Sequence, residues 1–101
     1  MEKIAILRVD VELVAAGLRA GRIIGAYVYN DEDETIGHVD DLMIGDESRV
    51  GYAILSVGGF LGLGSQLVAV PFDSLEISDD RILLPGATRE ELERLPKFEY
   101  R

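Results

Sequence analysis

Few residues in this 101-residue chain are equipped for chemistry. His38 is the one histidine and cysteine is absent, which removes Cys-His nucleophilic catalysis, thiolate zinc sites and multi-histidine metal sites. Ser56, Ser65 and Ser74 are open to pairing with His38 and a carboxylate in space, but none stands in a nucleophile-elbow pattern. His38 reads as an exposed or edge-strand residue. Asp31, Asp33 and Thr35 match the first alternate ligand positions of a calcium loop. The required turn glycine would then fall at Ile36 and the bidentate glutamate at Leu42, so the pattern fails. Asp40 and Asp41 are adjacent and on a regular strand face opposite ways, so they form no carboxylate pair without a bulge. Asp41 reads as a structural acceptor for backbone amides.

The glycines from Gly58 to Gly64 invite a phosphate-cradle reading, because backbone amides can surround an anion. The third glycine of a dinucleotide loop is missing, however, and no Gly-Lys-Ser/Thr closes the segment. Gly58 and Gly59 are read instead as structural, permitting a tight connection with unusual dihedrals. No catalytic, cofactor-binding or metal-binding residue is assigned and no cofactor is expected. The expected class is a non-enzyme; a small metal-dependent enzyme is a minor alternative.

Apolar contact is the remaining chemistry. The segment Val50 to Phe72 contains no charged residue, although the whole chain carries a formal charge of −9. Its glycines, Ser65-Gln66 and Pro71 argue against a membrane-spanning helix. Two strands, Val50 to Val57 and Leu67 to Val70, joined by a glycine-rich connection, fit better. Phe60, Leu61 and Leu63 lie in that connection and are the candidate interaction residues. They either plug the protein's own core or meet another chain. The acidic balance argues against direct nucleic-acid binding and against an anionic membrane surface. The start Met1-Glu2-Lys3 lacks a secretory pattern, so a cytoplasmic location is expected.

Several elements must position these residues. Ile4 to Val9 is compatible with an edge strand. Asp10 can cap a helix with Val11, Val14, Ala15 and Leu18 on one face, with Gly21 as its stop. Ile23 to Tyr29 is extended and Asn30 to Glu34 is a turn. From Ile36 to Ile44 strict alternation fails, and a β-bulge near His38 to Asp41 resolves it. Gly45 to Ser48 joins this strand to the next in a hairpin. Pro71 is structural, at a strand end or edge. Leu75 to Ile77 and Arg81 to Leu84 form a second hairpin. Thr88 to Glu91 is a capping box, Leu92 and Leu95 share one helix face, and Pro96 stops that helix. The sum is a mainly all-β domain: a small antiparallel barrel of five or six short strands with one or two peripheral helices.

The series Ile24 to Asn30, Ile36-Gly37-His38-Val39-Asp40-Asp41-Leu42, Val50 to Gly62 and Leu67 to Phe72 resembles the PRC-barrel family in order and spacing. The likeness covers roughly Ile23 to Leu84, within a single domain of residues 1–101. It implies a compact PRC-like β-barrel. The family's module is similar to the cytoplasmic domain of the photosynthetic reaction centre H subunit and to the C-terminal domain of a ribosome-maturation factor. This sequence lacks the membrane helix of the first and the extra N-terminal barrel of the second. The resemblance therefore implies a stand-alone member acting through protein contacts: a homo-oligomer, with a dimer favoured, or a module docked on a protein partner. An auxiliary role in ribosome maturation or RNA metabolism, exerted through protein contacts, is the alternative. The tail Leu95 to Tyr100 also resembles C-termini of stand-alone members.

Overall fold

Alternating β-branched and aromatic residues separated by short polar turns produce six strands in one sheet. The computed structural model describes residues 8–58, 64–78 and 80–101. The strands are β1 (Tyr27–Tyr29), β2 (Thr35–Ile44), β3 (Val50–Val57), β4 (Gln66–Pro71), β5 (Glu76–Ile77) and β6 (Ile82–Leu83). Their spatial order is β4-β3-β2-β1-β6-β5. The turn between β1 and β2 is built by Asn30, whose Oδ1 accepts from the amides of Glu32 and Glu34, both at 3.0 Å. Its Nδ2 donates to Glu34 Oε1 and to the Ala87 carbonyl, so this side chain, only 1% exposed, is satisfied at both ends.

β2 departs from regular pairing twice where the core is formed. Against β1, Val28 pairs Gly37 and Tyr29 pairs Thr35, leaving Ile36 as an extra residue. Against β3, Val39 pairs Leu55 and Asp41 pairs Ile54, leaving Asp40 as an extra residue. The first irregularity lets both Ile36 and Val39 be buried despite their odd spacing. The second falls inside the expected range and turns Asp40 out to solvent. Gly37 tolerates the crowding here because a Cβ would come within 2.6 Å of the Ser56 carbonyl oxygen.

The antiparallel barrel expected from the sequence needs two corrections. β1 and β6 are parallel, with Val28 beside Ile82 and Tyr29 beside Leu83. The chain passes through β2, β3 and β4 before returning to the free side of β1, and the β5–β6 hairpin then enters with β6 innermost. The sheet is also open, since β4 and β5 form its two edges and do not pair. Two-residue strands supply too few ladder bonds to close it. Side chains close the core instead. Leu92 of α3 (Arg89–Glu93), Leu75 and Leu84 are buried in one cluster with Val28, Val39, Leu55, Val57 and Val68, and Phe72 packs against it. The Thr88 capping box that starts α3 is present in full.

The expected N-terminal helix is shorter than its apolar spacing suggests. Asp10 caps it as read, accepting from the amides of Glu12 and Leu13, but α1 ends at Ala15 and α2 occupies Ala20–Ile23. Gly21 lies inside α2 rather than ending the first helix, and Ile23 is helical rather than extended. Five residues fall below the length at which a helix holds itself in water, and α1 has no buried residue to hold it by packing. The expected strand at Ile4 to Val9 falls mainly outside the described residues, and Arg8 and Val9 are not in a strand.

At the other end the chain wraps the sheet. After α3 the Phe98 amide donates to the Leu67 carbonyl on the β4 edge at 2.7 Å. The Tyr100 hydroxyl then donates to Asp40 Oδ2 on β2, also at 2.7 Å. A strap anchored on β4 and β2 must pass over β3. Ile54 is on the β3 face opposite Ala53 and Leu55, belongs to no part of the main core, and is fully buried.

Candidate interaction surfaces

From Leu13 to Asn30 the only charged residues are Arg19 and Arg22. α2 and the residues before it set these arginines on the rim of a groove of about 610 Å³, facing β1, β5 and β6. Ile23 and Ile82 line its depth and are buried, while Tyr27 on β1 stays exposed. On the far side the Arg81 guanidinium lies 4.5 Å from the Tyr29 ring centroid and 2.9 Å from Asp33 Oδ1. Stacking and pairing hold Arg81 in place. Among the described residues Arg81–Asp33 is the one ion pair, and Arg19 and Arg22 make none. Ser78 and Asp80 complete the polar rim.

The groove runs directly into α1. Ala15 and Leu18 line its mouth. Val11, Leu13, Val14 and Leu18 are between 61% and 73% exposed, a concentration of apolar surface on one short segment. Scattered exposed hydrophobes are ordinary, but a run of them on one short segment marks a contact surface.

A second exposed patch sits at the end of the β2–β3 hairpin. Met43, Ile44 and Tyr52 are solvent-exposed beside Asp41, Asp46 and Glu47, with Arg49 the only cation. Met43 and Tyr52 are cross-strand partners, and Ser48 turns the chain with φ 60°. None of these residues lines the groove of its own chain.

The expected site residues divide by place. Phe60, Leu61, Leu63 and Gly59 lie outside the described residues. Gly58 has φ +75°, and a Cβ there would meet Glu93 of α3 at 3.0 Å. Asp41 Oδ1 accepts from the following Leu42 amide at 2.8 Å. Pro71 is the last residue of β4, an edge strand, opposite Tyr52. His38 pairs with Tyr27 across β1 and β2, their rings edge to face with centroids 6.4 Å apart. Among the described residues no three His, Asp or Glu side chains gather into a metal-sized cluster.

Sequence reasoning missed the groove and the strap. The signal for the first was available in the lone arginines of an apolar stretch, but Arg81 reaches them only through the parallel β1–β6 pairing. For the strap, Phe98 and Tyr100 were visible as aromatics without a partner. Their geometry shifts one titration: the Tyr100 phenol is pushed up, first by desolvation, then by its hydrogen bond to Asp40 and by the charges of Asp40 and Asp41.

The family model described as PRC-barrel domain matches residues 17–90. The chain belongs to the PRC-barrel domain family. No curated protein matches it. PRC-barrel domains are small β-domains that often mediate protein interactions, and they are generally non-catalytic modules. The PRC-barrel match spans α2 and all six strands but excludes α1 and the residues of the C-terminal strap. Among the described residues no helix is long and apolar enough to cross a membrane.

Proposed function

We propose that this PRC-barrel protein is a non-enzymatic interaction module that associates with further copies of itself. The observation that carries the reading is the segment from Val11 to Leu18: α1, a capped helix with no buried residue, and the residues after it hold four large apolar side chains in solvent. A fully buried Val or Leu is stabilised by roughly 1.5–3 kcal/mol over its exposed state. Covering these four by even half offers several kcal/mol to an association. The charge-free connection bearing Phe60, Leu61 and Leu63 adds a second apolar stretch at the level of sequence.

Sedimentation of the wild type beside a Val14→Ser, Leu18→Ser variant tests the reading. Both positions are exposed, so the variant keeps its fold. The wild type is expected to sediment as more than one copy, and the variant to shift towards the monomer. A Phe60→Ser, Leu63→Ser variant run alongside separates the two apolar segments. A wild type that stays monomeric at every concentration contradicts self-association.

A further inference from the structure

We propose that the groove beside Arg19 and Arg22 receives the β2–β3 hairpin end of a second copy of this chain. The inference rests on the self-association reading above and specifies its contact. Two exposed surfaces of opposite character stand on one molecule. The groove offers Arg19 and Arg22, which make no ion pair among the described residues, Leu18 and Tyr27 at its mouth, and Ile23 and Ile82 in its depth. The hairpin end offers Asp46 and Glu47 at its turn, with Met43 and Ile44 exposed behind them.

Their chemistry matches in both components. Guanidinium groups pair with carboxylates through short, charge-assisted hydrogen bonds. Ile44, 72% exposed, is an apolar projection for a groove that has Ile23 and Ile82 in its depth. The hairpin end contributes nothing to the groove of its own chain, so the contact is between molecules. Elsewhere the net charge of −9 makes copies repel one another. The groove, with two arginines on its rim, is a place where the acidic hairpin of another copy meets attraction, and this favours one register of the encounter. Asp80 on the rim and Asp33 on Arg81 temper the positive charge. The exposed arginines on the α2 side therefore dominate the recognition.

The experiment uses two charge-reversal variants of the whole chain, Arg19→Glu with Arg22→Glu, and Asp46→Lys with Glu47→Lys. All four positions are exposed, and circular dichroism confirms that each variant folds. In sedimentation equilibrium at low salt, each variant alone is expected to associate at least about tenfold more weakly than the wild type. An equimolar mixture is expected to recover association, because each groove then faces a hairpin of opposite charge. Added salt is expected to weaken the wild-type contact by screening. Variants that associate as the wild type does overturn this contact and leave self-association standing. Loss in both variants without recovery on mixing assigns the two surfaces to different occupants and overturns it as well. A wild type that is monomeric throughout overturns both the contact and self-association.

Discussion

Asn30 shows how one polar side chain can organise a junction. Its four hydrogen bonds tie the β1–β2 turn to itself and to Ala87 ahead of α3, and it is the one buried polar residue among those described. Removing it strands two turn amides and a carbonyl. Asn30→Ala is expected to cost about 2–3 kcal/mol in denaturant melts, with the slope against denaturant unchanged. Tyr100 makes a prediction of opposite kind. Its folded-state phenol is held neutral beside Asp40 and Asp41, with a raised pKa. The stability it contributes is level below the unfolded tyrosine value of about 10. It is lost as pH rises from there through the folded value, because only the unfolded chain releases the proton. Wild type and Tyr100→Phe, melted at neutral pH and again above pH 10, are expected to show a gap that narrows as pH rises. A gap independent of pH would show that Tyr100 contributes no such linkage.

Among the elements, those with local signals were legible and those made by distant partners were not. Asp10 and Thr88 announce their helices through short polar side chains ahead of apolar residues. Asn30, Gly45 and Ser48 announce their turns. The bulge near Asp40 followed from the failure of two-residue alternation, since Val39 had to face inward. The irregularity at Ile36 was hidden because it concerns the pairing with β1. The parallel placement of β6, the groove that depends on it and the open sheet were hidden for the same reason: each is set by which strand meets which. The strap gives the element-scale prediction. Ending the chain after Leu95 removes Phe98 and Tyr100 with their hydrogen bonds to β4 and β2, and is expected to cost about 2 kcal/mol of stability while leaving the strands in place. Denaturant melts check the loss, and circular dichroism checks the retained strands. An unchanged midpoint would show that the strap covers nothing of consequence.

At the scale of the molecule, the chain completes its core on one side of an open sheet and covers part of the other side with its own tail. Among the described residues, exposed apolar side chains gather at α1 with the adjoining arginine groove and at the acidic end of the β2–β3 hairpin. α1 lies outside residues 17–90, which match the PRC-barrel family, whereas Leu18 and the arginines of the groove lie within them. The central claim is that such a surface serves association with another copy. Sedimentation equilibrium of the wild type over a wide range of concentration tests it most directly. The account predicts a mass above that of one 11.1 kDa chain, rising with concentration and lowered by Val14→Ser with Leu18→Ser. A mass of one chain at every concentration would contradict it.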